Sequence, residues 1–380
     1  MTPRFGIPPD DQALADAITR FAQAELAPHA HAVDEAALST VRYVPALAEL
    51  GVMGMNLPER WGGPGATPTA LVLSLAAIAQ ACTATASMIG AHYLATDSLL
   101  IGGDDALRQR YLPGAGSGAK LGAFALTEPR AGSNPADMAT RAVREGDHYH
   151  LSGTKHFISN AGEADFIVVY AKTDPAAGHR GISAFVVDKG TPGLRVAAPE
   201  KLMGIRGGHA FEVALDCRVH TTQRLGEEGT GFRTAMKVLD NSRMDVAANS
   251  LGLGEAALAA AVDWARQRQV GGEPLAAKQG IQWKLADMKT RLEAAWLLTL
   301  QACAKRQAGV PYSMESSMCK LYASEAAAFI TDEALQIHGG YGFTRELPLE
   351  RYVRDARIMR IYEGSSEIQR TVIARGVLQH

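Results

Sequence analysis

Two stretches of this 380-residue chain carry residue types that could do chemistry. The first is FALTEPRAGSN, residues 124–134. Thr127, Ser133 and the backbone at Gly132 supply several hydrogen-bond donors within one tight loop, which Pro129 stiffens. Such a loop can hold the polar edge of a flat ligand or a phosphate; an ordinary structural turn is the plainer reading. The second is RIMRIYEGSSEIQR, residues 357–370. Glu363 sits between the apolar pair Ile361 and Tyr362 and the flexible Gly364. Ser366-x-x-Gln369 then reads as a capping box that opens a helix. Burial would raise the Glu363 pKa, and the helix N-terminus would lower it. A tunable carboxylate on a rigid turn is what a general base requires. Taken alone, a Glu before a helix reads first as a surface carboxylate.

The elements that must hold these stretches fall into three zones. Residues 10–112 are rich in Ala and Leu, with helical patterns over 11–26, 44–50 and 69–82, interrupted by LPERWGGPGATP at 57–68. Residues 121–225 change character. Short β-branched and aromatic runs at 165–171, 182–187 and 211–215 alternate with Gly, Pro, Asn and Asp. That pattern predicts a compact antiparallel β domain, and the lack of helical periods between the runs argues against a doubly wound sheet. From about 230 the helices are long. Ile281, Leu285, Met288, Leu292, Ala295, Thr299 and Cys303 form one stripe; Leu251, Leu258, Val262 and Ala265 form another. Gly339 and Gly340 close the helix that carries Leu335 and Ile337. Long helices with short joins predict an antiparallel bundle.

Composition removes several classes. The chain is 47% hydrophobic and 21% charged, with a net charge of −2, so it is neither disordered nor basic enough overall to suggest nucleic acid. Cys82, Cys217, Cys303 and Cys319 lie far apart and form no CxxC pair, which predicts buried free thiols. The longest apolar run, 70–79, is broken by Ser74 and falls short of a membrane span. The opening MTPRFGIPPDD lacks the basic and apolar regions of a leader, so a cytoplasmic protein without membrane contact is expected. Gly252-x-Gly254-x-x-Ala257 imitates a dinucleotide fingerprint, but a helical pattern precedes it, so close helix packing is the better reading. His148 and His150 could share one strand face around a metal; without a third ligand in view, a solvated hairpin is preferred and no metal is expected.

The chain resembles the acyl-CoA dehydrogenases over nearly its whole length. FALTEPRAGSN, SGTKHFISNAGEAD (152–165), KLMGIRG (201–207), GFRTAMKVLDNSR (231–243), KLADMKTRLEAA (284–295), QIHGGYGF (336–343) and RDARIMRIYEGSSEIQR (354–370) occur in the order and spacing of that family. The resemblance implies an α-helical N-terminal domain (1–120), a central antiparallel β-barrel (121–228) and a C-terminal four-helix bundle (229–380). It implies FAD, bound between barrel and bundle and completed by a neighbouring subunit. A homotetramer built as a dimer of dimers and an electron-transfer flavoprotein as acceptor follow from it too. The implied reaction belongs to fatty acid β-oxidation: Glu363 takes the α-proton of an acyl-CoA, and the β-hydrogen leaves as hydride to flavin N5. The Glu363 amide, with a flavin ribityl hydroxyl, would hold the thioester carbonyl.

The family pattern places Phe124, Thr127, Ser133, Phe157 and Ser159 at the flavin. Arg268, Gln279, Gln336 and Gly340 would reach the partner subunit's FAD, and Ser365 the nucleotide. Ser133, Asp240, Arg243, Tyr362, Gly364 and Arg375 would serve the thioester; for Arg243 a helix salt bridge is the competing reading. Ser87, Met88, Ile89, Gly90 and Ala91 would wall the acyl tunnel. Three departures stand out. Ser242 occupies the position where some relatives carry the base, which favours Glu363. Gly271 replaces a usual Phe, which implies looser FAD binding by about 1–2 kcal/mol. Asn134 replaces a usual Asp. A carrier-protein thioester in place of CoA, a flavin oxidase, and a non-catalytic flavoprotein subunit remain as alternatives.

Overall fold

The computed structural model describes residues 6–378. The first helix, α1 (Pro9–Phe21), does not run on to residue 26 as its pattern predicts. Pro28 brings no amide to the helical ladder, and the chain leaves through a wide turn, Ala22–Leu26, and a tight one, Ala27–His29. Short helices α2 (Ala30–Glu35) and α3 (Val44–Glu49) follow. Then come α4 (Pro68–Ala81), whose N-terminus Thr67 caps by accepting from the Ala70 amide at 3.0 Å, and α5 (Thr83–Gly102). Both are buried on nearly every side, which suits helices without a polar face. The zone ends with α6 (Asp105–Gly116), capped by Asp104.

The middle zone holds β1 (Gly122–Ala125), β2 (Arg141–Glu145), β3 (His148–Ser159), β4 (Phe166–Lys172), β5 (Ile182–Asp188), β6 (Leu194–Val196), β7 (Ala210–His220) and β8 (Arg224–Leu225). They pair in the order β6-β7-β3-β2-β4-β5-β8, with β1 beside β4. The pairing departs from an all-antiparallel closed ladder in two respects. First, β1 runs parallel to β4, and β2 meets β4 in parallel through the single pair Arg141–Lys172. The β2–β3 hairpin lies between β1 and β4 in sequence, giving the long connection that a parallel pair requires. Second, β6 and β8 end the ladder, and no pairing between them is seen among the described residues. The His148 and His150 rings lie against Asp147 and Asp216 at 2.6 and 2.8 Å.

The third zone is α7 (Gly231–Gln267), a small hairpin of β9 (Gln269–Val270) and β10 (Glu273–Pro274), then α8 (Gln279–Gln307), α9 (Ser313–His338), α10 (Leu349–Met359) and α11 (Ser366–Leu378). The stripe on α8 is buried from Met288 through Leu292, Ala295 and Thr299 to Cys303. α7 packs on α4, α5, α8 and α9, while α10 and α11 both rest on α9. Gly252 explains the imitation fingerprint: a Cβ there would lie 2.0 Å from the Ala76 carbonyl oxygen of α4. All four cysteines are buried and free. No helix among the described residues is long and apolar enough to cross a membrane.

Candidate functional site

A cleft of about 320 Å³ opens where the three zones meet. α5 contributes Ser87, Gly90 and Ala91; the loop after β1 contributes Thr127, Gly132 and Ser133; the end of β3 contributes Phe157 and Ser159. Arg243, Asp245 and Asn249 enter from α7, and Tyr362, Glu363 and Gly364 from the turn before α11, with Arg375 further along. Phe124 lines it from β1. Of the presumed tunnel wall, Met88 and Ile89 point into the core instead.

The loop after β1 is set by a buried ion pair. The Lys155 ammonium donates to Glu128 Oε1 at 2.8 Å and to the Leu126 carbonyl at 3.1 Å. The Glu128 carboxylate accepts from the amides of Ala139 (2.5 Å) and Thr140 (3.1 Å). Burial pulls Lys155 down to about 8, with Glu128 opposing it. For Glu128 burial pushes up, but Lys155 and the two amides outweigh it, and the net shift is downward. One loop is thus clamped from both sides by groups that lost their water together. Neither residue stands out by its type or spacing, although Glu128 lies within FALTEPRAGSN and Lys155 within SGTKHFISNAGEAD.

β3 pairs with β7 irregularly between Lys155 and Ile158. Such a bulge re-aims a side chain. Here it puts Phe157 at φ +57° and leaves the ring 60% exposed at the cleft, stacked on His156 with centroids 4.1 Å apart. The hydroxyls of Thr127, Ser133 and Ser159 have no hydrogen-bond partner among the described residues. An open aromatic face beside unused hydroxyl groups fits a flat ring system with a polar edge, as the isoalloxazine of FAD is.

Glu363 stands on a left-handed turn, at φ +53°, followed by Gly364 at φ +95°. Two side chains pin that turn. Lys320, fully buried on α9, donates to the Gly364 carbonyl at 2.7 Å. Gln369 Nε2 donates to the carbonyls of Gly364 (2.9 Å) and Glu363 (3.2 Å). The expected capping box is therefore off by one residue. Ser365 caps α11 by accepting from the Ile368 amide at 3.4 Å, Ser366 Oγ is buried without a partner, and Gln369 serves the turn.

Glu363 Oε2 is sealed from solvent with no hydrogen-bond partner. Burial pushes the carboxyl up to about 7; the neighbouring Ser242 hydroxyl and the cations Lys320 and Arg243 restrain the rise. Burial likewise pulls Lys320 down to about 8, against the pull of Glu363. The Arg243 guanidinium donates through Nη1 to Asp240 Oδ1 at 2.6 Å and to Ser317 Oγ at 3.2 Å. Asp240 also accepts from Ser313 at 2.8 Å and does not line the cleft. It orients Arg243, so the helix salt bridge and a place at the cleft are compatible.

The remaining expected cofactor residues lie elsewhere. Arg268 and Gly340 border a separate depression with Trp264, His338 and Tyr341, and the Arg268 guanidinium lies 5.7 Å from the Tyr341 ring centre. Gln279 and Gln336 are exposed. Gly271 and Gly272, at φ +64° and +84°, make the turn between β9 and β10, a conformation that costs a Phe dearly.

Comparison with known proteins gives a consistent result. Models for the N-terminal, middle and C-terminal domains of acyl-CoA dehydrogenase match residues 8–119, 123–217 and 229–378. An acryloyl-CoA reductase (NADH) of Anaerotignum propionicum is 41% identical over 378 residues, 99% of this chain and 96% of its own. The mitochondrial short-chain specific acyl-CoA dehydrogenase of Mus musculus is 41% identical over 379 residues, 98% of this chain and 91% of its own. The structure of butyryl-CoA dehydrogenase from Megasphaera elsdenii matches with a TM-score of 0.96 at 37% identity, over 99% of this chain and 100% of that one.

Proposed function

The chain belongs to the acyl-CoA dehydrogenase family, and on that premise we propose that Glu363 is the base that removes the α-proton of its acyl thioester. The protein is an FAD-dependent oxidoreductase that acts on acyl-CoA and introduces the α,β double bond. The observation that carries the assignment of Glu363 is its Oε2, buried and unpartnered on a pinned left-handed turn at the cleft. A carboxyl held near 7 can accept a proton at neutral pH and release it afterwards.

A bound FAD would supply the acceptor for the β-hydrogen as hydride. The chain's own residues do the rest. Glu363 accepts the α-proton at Oε2. Its amide, without a hydrogen-bond partner among the described residues, is free to hold the thioester oxygen and stabilise the charge that develops there. Phe157, Thr127, Ser133 and Ser159 seat the flavin, and Phe124 backs it. Arg243, Tyr362, Gly364 and Arg375 hold the thioester and its CoA arm.

Arg268, Gln279, Gln336 and Gly340 sit apart from Glu363, which supports their service to the FAD of a neighbouring subunit in a homotetramer. In the same reading Ser365 stands near the nucleotide, an electron-transfer flavoprotein takes the electrons, and the cytoplasm is the compartment. The domains divide at 1–120, 121–228 and 229–380, with the β unit closing as a barrel. The test is anaerobic: FAD-loaded enzyme is mixed with acyl-CoAs from butyryl to palmitoyl while flavin bleaching is followed. Bleaching by short chains that disappears in Glu363→Gln supports the reading; undiminished bleaching in that variant sinks the assignment of the base.

A further inference from the structure

The cleft wall opposite the flavin-seating loop is polar where an alkyl chain would want it apolar. On α7, Ser242, Asp245 and Asn249 follow at helical spacing and present one face. Ser242 serves Glu363. Asp245 and Asn249 are 4% and 2% exposed, and both line the cleft. The Asp245 carboxylate has no hydrogen bond among the described residues, and its Oδ1 is sealed from solvent; Asn249 Oδ1 is also unpartnered. The Asn249 side chain faces the Tyr362 hydroxyl, as Ser87 does.

Nearby Asp97 shows what a structural buried carboxylate looks like in this fold. Its Oδ1 and Oδ2 each accept an amide, from Asn56 and Asn241, both at 2.7 Å. Asp245 received no such partners. Burial pushes its pKa up, Glu363 and Asp97 push it further, and Arg306 opposes them. A carboxyl left unsatisfied in a dry wall is costly unless something brought into the cleft satisfies it. A saturated hydrocarbon chain cannot.

We propose that this enzyme takes a short acyl thioester whose chain carries a hydrogen-bond donor, a hydroxyl or a protonated amine, which Asp245 and Asn249 receive. The inference rests on the acyl-CoA reading above and deepens it. Asp245 is then the residue that sets specificity. An alkyl chain of equal size strands two buried oxygens and is rejected, as in other sites built to bond a polar substrate group.

The test uses the oxidised, FAD-loaded enzyme and enoyl-CoA products, so that affinity is read without turnover. It is titrated with 2-pentenoyl-CoA, 4-hydroxy-2-butenoyl-CoA and 4-amino-2-butenoyl-CoA, and the change in the flavin spectrum gives Kd. At least one polar ligand is expected to bind about tenfold to a hundredfold more tightly than 2-pentenoyl-CoA. The hydroxyl and amino arms tell the two donors apart. Asp245→Val should bring the ratio close to one, whereas Asp245→Asn keeps the hydroxyl preference and loses the amine preference. Equal or tighter binding of 2-pentenoyl-CoA by the wild type overturns the proposal, and that ratio decides it even where a variant fails to fold. A polar preference that survives Asp245→Val overturns the role of Asp245. If none of the three perturbs the flavin, the acyl-CoA reading itself fails.

Discussion

Lys320→Met is the most informative single change at the site. Lys320 does two things: it donates to the Gly364 carbonyl at 2.7 Å, and its positive charge favours the ionised form of Glu363. Methionine keeps the length and apolar bulk of the side chain and removes both. The sign follows directly. Losing a cation makes the carboxylate harder to form, so the Glu363 pKa rises above about 7. An opposite charge at close range is worth roughly one pKa unit or more. A rise from about 7 to about 8 cuts the ionised fraction at pH 6 from about one in eleven to about one in a hundred. The expected loss in kcat/KM is therefore roughly tenfold at pH 6 and shrinks to little above pH 9.

The assay is the pH profile of kcat/KM, which reports the free enzyme's essential groups. Lys320 itself is held down to about 8, so in the wild type the two groups titrate as a pair, and the profile reports values belonging to both. Losing the bond to Gly364 also loosens the turn, which lowers the plateau at every pH. The two effects separate cleanly, because loosening moves the plateau and charge loss moves the limb. An acid limb that stays in place in Lys320→Met refutes the electrostatic argument, whatever happens to the plateau.

Other outcomes follow from the same geometry. Glu363→Gln should lower the rate of flavin reduction by about a hundredfold to ten-thousandfold. It should also stabilise the fold: Glu363 is destabilising as pH rises from 4.5 through about 7, so the gain in Tm over wild type grows from pH 5 to pH 8. Lys155→Met leaves Glu128 buried and unpaired, and should cost about 3–5 kcal/mol in thermal unfolding together with FAD retention. Phe157→Ala should leave the Tm of the FAD-free protein nearly unchanged, since the ring is largely exposed, but weaken FAD binding about tenfold by equilibrium dialysis.

The parts of the site visible in the sequence were those whose signal is local. Glu363 between an apolar pair and a glycine and the donor-rich loop at 124–134 are short-range patterns; the wall at 87–91 came only from the family resemblance, and of it Ser87, Gly90 and Ala91 reach the cleft. The three zones emerged because helical and strand periods differ. What stayed hidden depends on partners distant in sequence. Lys320 and Lys155 carry no local signal, because a helix or strand pattern does not say that the Gly364 carbonyl or Glu128 will seal them in. Asp245 is an acid on a helix, by default a solvent-facing residue, until α5 and the turn at 363 cover it. Phe157 at positive φ follows from a bulge, which depends on the pairing of β3 with β7. The parallel β1–β4 pair was missed because strand direction depends on the path of the whole intervening chain. The cap on α11 was misplaced by one because Ser365 and Ser366 are chemically identical candidates.

Gly252 shows how far from the cleft its geometry is decided. On an exposed helix, glycine to alanine gains about 1 kcal/mol. Here the added Cβ would meet the Ala76 carbonyl oxygen at 2.0 Å and the Gln80 amide nitrogen at 2.9 Å, both backbone atoms that cannot rotate away. α4 and α7 must separate, and overpacking of this kind costs about 1–3 kcal/mol, more where the backbone has to move. The net sign is therefore destabilising. α4 carries no cleft residue, but the chain passes from it through Cys82 directly into α5, which carries Ser87, Gly90 and Ala91. A shift of α4 against α7 thus moves the two cleft walls relative to each other, Ser87 on one and Asp245 and Asn249 on the other. Gly252→Ala should lower the Tm and raise KM for the acyl thioester more than it lowers kcat, since Glu363 and Lys320 belong to neither α4 nor α5. A Tm that rises, as helix propensity alone would have it, refutes the contact; a lowered Tm with kinetics unchanged refutes its transmission to the cleft.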